Sequence, residues 1–162
     1  MSEQEKYAVG IDPGKSGALV VIRPDGTSLT QTFDIKEYIS ILSELDPSKT
    51  NVVLEKVHSM PMQSAVATFT FGENFGLIKG ILTSLGFTYK LISPQRWKKK
   101  YNLIGTDKKG SVKYCQENYK NVNLLRTPRS RVGNDGIADA YLIARFALEE
   151  EYNKLKGLKD TI

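Results

Sequence analysis

Apolar positions along the chain recur either in short continuous runs or at the three-to-four-residue spacing of helices. Runs rich in β-branched residues, bounded by Gly, Pro and Asp turn signals, predict five strands. The predicted strands are residues 7–11, 18–22, 28–33, 51–55 and 87–92. Since only short turns separate the first three, we expect those three to pair antiparallel.

Helical spacing predicts five helices, three of which carry recognisable end signals. Asp34 and Ser93 are candidate N-caps, with Pro94 at a first helical position, and Gly86 is a candidate C-cap. The predicted helices are residues 35–45, 64–85, 94–101, 107–119 and 134–148. The succession of elements indicates an α/β fold with a mixed sheet, three antiparallel strands and then parallel strands, flanked by helices.

Length and composition indicate one globular domain. The chain has 162 residues, of which 40% are hydrophobic and 25% charged, and we expect a single domain over 1–162 with 1–6 and 149–162 as terminal extensions. The single cysteine, Cys115, excludes an internal disulfide and a multi-cysteine zinc site. Neither a membrane-spanning apolar stretch nor a signal peptide is recognisable, so we expect a cytoplasmic protein.

Positive charge is concentrated in one part of the chain. The net charge is +5, but residues 94–131 contain eleven basic and two acidic residues, or +9, which leaves −4 for the remainder. A region this basic favours a polyanionic partner, although a solvated basic face is the simpler alternative. Trp97 lies among these lysines, and we interpret it as a core anchor under them rather than as a base-stacking platform.

Four carboxylates stand at positions where a purely structural role is costly. Asp12 and Glu55 each end an apolar strand, and Asp135 and Asp139 lie four apart near the start of the last helix. Taken singly, each could shape a turn, cap a helix or pair with a lysine. Gathered together they would repel one another, and divalent cations bound by carboxylate oxygens, Mg²⁺ or Mn²⁺, would relieve that repulsion. Two such ions about 4 Å apart can promote phosphodiester hydrolysis.

Three glycines form a stripe inside the second predicted helix. Gly72, Gly76 and Gly80 are spaced four apart, and each destabilises a helix by about 1 kcal/mol relative to alanine. Something is therefore expected to pack against the bare backbone. The partner is either the sheet of the same chain or the matching helix of a second copy, and the sequence leaves both open.

The acidic segments resemble those of a known family. Residues 11–18 (IDPGKSGA), 54–57 (LEKV) and 135–140 (DGIADA) are similar to the motifs of RuvC-like Holliday junction resolvases, which have the ribonuclease H fold. Residues 71–76 (FGENFG) and 93–99 (SPQRWKK) most resemble the short bacteriophage-encoded members. The similarity extends over nearly the whole chain, from about residue 7 to 147.

This resemblance implies a homodimeric endonuclease that cuts branched DNA with two Mg²⁺ ions per active site, Mn²⁺ being able to substitute. It implies that Asp12, Glu55 and Asp139 bind metal, with Asp135 in a fourth position that varies in the family, and that Lys98 and Lys109 lie near the scissile phosphate. Lys109 is accordingly included with the four acids as a catalytic residue, and the stripe of Gly72, Gly76 and Gly80 is assigned to the dimer interface. In a phage-encoded protein the location would be the cytoplasm of the bacterial host.

The residues expected to contact DNA come mainly from the basic segment. They are Lys56, His58, Arg96, Lys98, Lys99, Lys100, Lys108, Lys109, Arg126, Arg129 and Arg131. His58 departs from the family pattern, because bacterial resolvases have an aromatic residue there that wedges into the junction. Their junction selectivity therefore does not transfer automatically to this chain.

Three other functions compete with a junction endonuclease. A junction-binding protein without nuclease activity would gain nothing from four acids facing phosphates. An actin-like or sugar-kinase-type protein shares the glycine-containing first hairpin but needs roughly twice this length. A ribonuclease H acting on RNA–DNA hybrids would use the same metal chemistry and differs in its substrate.

Overall fold

The sheet forms as the apolar runs predict. The computed structural model describes residues 6–56 and 62–149. Its strands are β1 (Tyr7–Ile11), β2 (Ala18–Ile22), β3 (Ser28–Thr32), β4 (Thr50–Glu55) and β5 (Tyr89–Ile92). Their order across the sheet is β3-β2-β1-β4-β5. The first three strands pair antiparallel, and β4 pairs parallel with both β1 and β5. The predicted mixed sheet is confirmed.

Helices cover both faces of this sheet. They are α1 (Ile35–Ser43), α2 (Ala65–Ser84), α3 (Pro94–Lys100), α4 (Gly110–Asn118) and α5 (Asp135–Leu148). On one face, α5 packs across β1, β2 and β4, and α3 and α4 pack against α5. On the other face, buried residues of α1 and α2 pack against β1, β2 and β4. The predicted α/β class is confirmed.

Alternation along β1 divides its side chains between the two cores. Val9 and Ile11 belong to the core under α1 and α2, whereas Ala8 belongs to the core under α5. Gly10 faces α5, and a Cβ there would collide with the backbone of Ala140 and Ala144. The missing side chain lets the helix backbone lie directly on the strand. This close approach fixes the position of α5 over the end of β1.

Predicted element ends differ from the observed ones by up to three residues. Residues 107–109 form a turn, in which the Lys109 N–H donates to Asp107 Oδ1 over 2.9 Å, so α4 begins only at Gly110. At the end of α2, Gly86 has a φ of +84° and the Phe87 N–H donates to the Leu82 carbonyl over 2.9 Å. The predicted glycine C-cap is confirmed as a Schellman motif. Phe87 belongs to this cap, which is why β5 starts later than predicted.

Within the described ranges, no helix is both long and apolar enough to cross a membrane.

Candidate active site

Two of the predicted acids are brought together by strand register. In the parallel pair of β1 and β4, Ile11 lies opposite Leu54. Asp12 follows β1 and Glu55 follows Leu54 in β4, so both carboxylates lie where these two strands end, at the same edge of the sheet. Asp12 Oδ1 also accepts a hydrogen bond from the Gly14 N–H over 3.0 Å, within the turn that leads to β2. The first turn therefore orients one of the acids.

The first turns of α5 bring the other two acids to the same edge. Asn134 caps this helix, its Oδ1 accepting from the Ile137 N–H over 3.0 Å. Gly136 lies so close to Ser16 that a Cβ would collide with the Ser16 carbonyl, which holds the start of α5 against the first hairpin. The four residues Asp12, Glu55, Asp135 and Asp139 are called the carboxylate cluster below.

Electrostatics show that the carboxylates of the cluster interact. Burial raises the pKa of Glu55 to about 8, and the negative charges of Asp12 and Asp139 add to this shift. Burial likewise raises the pKa of Asp139 to about 7, although a hydrogen bond from Ser111 opposes the shift. The pKa of Asp12 is raised by burial and, further, by Asp135. Three partly or largely dehydrated carboxylates that repel one another destabilise the fold unless cations compensate them.

One lysine partly compensates this charge. Lys98, on α3, favours the ionised forms of Asp12, Glu55 and Asp139. Its Nζ lies 5.5 Å from the centroid of the Trp97 ring. Beside the cluster, a cavity of about 240 Å³ has both signs of charge in its lining, from Lys98, Lys108, Asp135 and Asp139. A charged ligand in this cavity would therefore lie near both carboxylates and lysines.

The donor set suits a hard divalent cation, but the side chains are not arranged as a finished metal site. Over residues 6–56 and 62–149, no three His, Cys, Asp or Glu side chains are grouped as metal ligands. The cluster offers carboxylate oxygens, the ligands that Mg²⁺ and Mn²⁺ prefer. The raised pKa values of Glu55 and Asp139 show that their ionised forms are disfavoured, and a bound cation would stabilise those forms. The chemistry of the residues therefore fits a divalent cation.

The predicted DNA contacts differ in their surroundings. Lys108 lines the cavity, and the neighbouring Lys109 is exposed. Lys100 differs from the other lysines of α3 because its Nζ pairs with Glu149 Oε2 over 2.7 Å. Lys56 follows Glu55 directly, and its N–H donates to the Ile92 carbonyl over 2.8 Å.

The remaining predicted contacts are exposed or lie outside the described ranges. Arg96, Lys99, Arg126, Arg129 and Arg131 are exposed. His58 lies outside the residues that the structure describes.

The glycine stripe does not pack against the sheet. Cβ atoms added to Gly72, Gly76 and Gly80 would meet nothing within 4 Å among the described residues, so of the two alternatives, the one in which the sheet of the same chain covers the stripe is wrong. Apolar side chains flank it, with Val66 77% and Phe69 73% exposed. We call this surface of α2 the glycine face; it comprises Val66, Phe69, Gly72, Gly76, Leu77 and Gly80.

Sequence reasoning missed two polar partners of the cluster. Trp97 is completely buried, which confirms it as a core residue, but its Nε1–H also donates to Glu55 Oε2 over 2.7 Å. Ser111, on α4, bonds to the side chain of Asp139. The positions of Trp97 and Ser111 in the sequence carry no signal that pairs them with these acids. Both pairs depend on helices packing beside the strand ends.

Comparisons with known proteins find similarity in structure only. No protein-family model matches the chain, and no curated protein is significantly similar to it in sequence. The structure of Thermus thermophilus RuvC in complex with a Holliday junction substrate has a TM-score of 0.57 at 14% identity, covering 93% of this chain and 96% of that one. A second Thermus thermophilus RuvC structure has a TM-score of 0.55 at 15% identity, with the same coverage. At this identity the likeness shows the fold: the chain has the ribonuclease H-like fold of RuvC.

Proposed function

We propose that this protein is an endonuclease that cleaves branched DNA, with Holliday junctions as the first candidate substrate and forks and flaps as further ones. The carboxylate cluster carries the proposal, because acids from β1, β4 and α5 interact at one edge of the sheet at an electrostatic cost to the fold. Such a cost is typical of functional sites. The similar Thermus thermophilus protein was solved with a Holliday junction substrate, which supports this choice of DNA.

In this proposal Asp12, Glu55 and Asp139 bind divalent cations, and Asp135 contributes a fourth carboxylate. Two Mg²⁺ ions, or Mn²⁺ in their place, would supply an activated water and stabilise charge on the leaving oxygen of the phosphodiester. Lys98 lies beside the acids and is assigned to the scissile phosphate, with Lys109 as a further basic group. The acids would hold the metal ions in place. The positive charge of Lys98 would reduce the repulsion between the carboxylates and the phosphate.

The basic segment is assigned to the DNA arms. Its +9 charge over residues 94–131 flanks the cluster from α3 onward, and exposed Lys and Arg side chains there can contact phosphates without reading sequence. Among its exposed members, Lys99, Lys108 and the arginines at 126, 129 and 131 are assigned to this contact. Lys56, Arg96, Lys100 and His58 complete the assignment.

We assign the glycine face to a homodimer interface. Nothing in the described part of the chain covers Gly72, Gly76 and Gly80, and a helix of a second copy could approach their bare backbone closely. A four-way junction has two strands to cut, so two active sites related by a twofold axis suit it. Membership of the bacteriophage subgroup and a cytoplasmic location stay predictions from the sequence.

A substrate panel tests the proposal. Purified protein with Mg²⁺ is incubated with four-way, forked, flap and linear duplex DNA and with an RNA–DNA hybrid, and binding and cleavage are measured separately. We expect four-way junctions to be cut and linear duplex to be left intact. Preferential cutting of the hybrid would favour a ribonuclease H, and tight junction binding without cutting in either Mg²⁺ or Mn²⁺ would favour a junction-binding protein.

A further inference from the structure

The only tryptophan of the chain lies in its most basic helix and yet is fully buried. Trp97 is flanked by Arg96 and Lys98, and its side chain is 0% exposed. Its indole Nε1–H donates to Glu55 Oε2 over 2.7 Å. An N–H that donates to an ionised carboxylate forms a stronger hydrogen bond than one between neutral groups, so this contact favours the ionised form of Glu55. The contact therefore does more than fill the core.

The path of the chain explains why these two residues meet. Ile92, at the end of β5, lies opposite Glu55 at the end of β4. The Lys56 N–H donates to the Ile92 carbonyl over 2.8 Å, which extends the pairing one step further. Pro94 then begins α3 directly, so Trp97 lies one helical turn beyond the strand end. This short connection brings the indole back to Glu55.

Packing holds the indole in place. Trp97 belongs to the core cluster that includes Ile92, Tyr101 and residues of α5. Because the surrounding side chains leave the ring little freedom, its N–H is a fixed donor, and the flexible Glu55 side chain must adapt to it. An outer partner of this kind sets the orientation of a metal-ligating carboxylate.

We propose that Trp97 is a positioning residue, whose indole N–H holds Glu55 Oε2 and so fixes the orientation of a carboxylate that would bind a divalent cation. This inference rests on the proposed function, because it takes Glu55 as a metal ligand. Removing an outer partner of a metal ligand typically weakens metal binding by about 10- to 100-fold. The same helix carries Lys98, which influences all three of Asp12, Glu55 and Asp139, so α3 supports the site with both a cation and a donor.

Calorimetric titration of the DNA-free full chain with Mn²⁺ tests the proposal. One variant is Trp97→Phe, which removes the N–H and part of the ring. The second replaces Trp97 with 3-benzothienylalanine, which keeps the ring shape and substitutes sulfur for the N–H. Phe146→Leu is the matched control, since Phe146 is buried in the same core and its truncation also leaves a cavity. Circular dichroism establishes that each protein is folded.

We expect both Trp97 variants to bind Mn²⁺ at least about tenfold more weakly than the wild type, and Phe146→Leu to bind it as the wild type does. Cleavage by the benzothienylalanine variant should recover as Mn²⁺ is raised, with its KM for junction DNA unchanged. A merely structural role would not produce this recovery. Wild-type affinity in the folded benzothienylalanine variant would overturn the positioning role.

Tryptophan fluorescence gives a readout that is independent of activity. Because Trp97 is the only tryptophan, Mg²⁺ binding at Glu55 should change its emission with the midpoint of a parallel calorimetric titration with Mg²⁺, and Glu55→Gln should abolish the change. If the wild type binds Mn²⁺ and Glu55→Gln does not, but the Trp97 variants bind normally, only the positioning role fails. If the wild type binds neither ion, the proposed function and the positioning role fail together.

Discussion

In folded proteins charged groups usually face water and large apolar groups are usually buried, and the carboxylate cluster and the glycine face depart from these two rules respectively. At the cluster, charged groups are largely withdrawn from water, so that burial raises the pKa of Glu55 to about 8. On the glycine face, apolar side chains such as Phe69 are left in water, 73% exposed. Each region lacks what would balance it: positive charge at the first and apolar cover at the second. Under the proposed function, cations would balance the first region and a second copy of the chain would cover the other.

The largest expected effect is a loss of cleavage combined with a gain in stability at the cluster. Asp12→Asn keeps an oxygen for the Gly14 N–H but removes a buried charge. We expect junction cleavage to fall by about a thousandfold, because a lost metal ligand removes several kcal/mol of transition-state stabilisation. Without metal at pH 8, we expect the free energy of unfolding to rise by about 1 kcal/mol. Cleavage kinetics and urea denaturation measure the two effects.

Asp25→Asn is the matched control for this substitution. Asp25 Oδ1 accepts a backbone hydrogen bond from Thr27 over 2.9 Å, in the same geometry as Asp12 with Gly14, but in an exposed turn. The control should retain wild-type cleavage. Full activity of Asp12→Asn would refute its assignment as a metal ligand.

Two lysines of α3 provide a comparison within one helix. Lys98 acts on three carboxylates of the cluster, whereas Lys100 is paired with Glu149 over 2.7 Å. We expect Lys98→Ala to lower the cleavage rate by about 10- to 100-fold, because a charge directed at the phosphate is lost. Lys100→Ala should change the rate less than about threefold and cost at most about 1 kcal/mol of stability. Equal losses of rate in single-turnover assays would contradict the distinction.

Substitutions on the glycine face should separate subunits without unfolding them. A Cβ at Gly76 meets nothing in residues 6–56 and 62–149, so Gly76→Leu should fold and raise the dimer dissociation constant by at least about tenfold, since about 1.4 kcal/mol of lost packing suffices. Sedimentation velocity measures the change, with Ser40→Leu on the exposed side of α1 as the control. A monomeric wild type, or a Gly76→Leu dimer of unchanged affinity, would exclude this interface.

The last expected effect concerns stability alone: a pH dependence of the free energy of unfolding without metal. Between pH 4.5, the ordinary pKa of a glutamate, and about 8, native Glu55 keeps a proton that the unfolded chain has released. The free energy of unfolding should therefore fall as the pH rises through this range. Mg²⁺ should raise the Tm by several degrees at pH 8 and hardly at all at pH 5, where protons already neutralise the acids. Glu55→Gln should flatten the dependence, and a slope unchanged by that substitution would contradict the assignment.

Local patterns predicted most of the fold. The sequence predicts the five strands and five helices because apolar periodicity and turn residues act over a few neighbouring positions. Errors concentrated at element ends, as at Phe87, where a Schellman cap takes up residues that fit a strand equally well. The candidate acids could be selected because a charge that ends an apolar run is conspicuous in one dimension.

What the sequence by itself determined is which residues are available: five strand-forming segments, acids at the ends of two apolar runs and near the start of the last helix, a segment of +9 and a glycine stripe. Only the tertiary structure decided their relations. Strand register placed Asp12 beside Glu55, and helix packing brought the Trp97 N–H to Glu55 Oε2. The way in which α2 packs leaves its three glycines without contacts among the described residues. The reason is that a contact such as that of Trp97 with Glu55 joins residues 42 positions apart, and its geometry depends on all the packing between them.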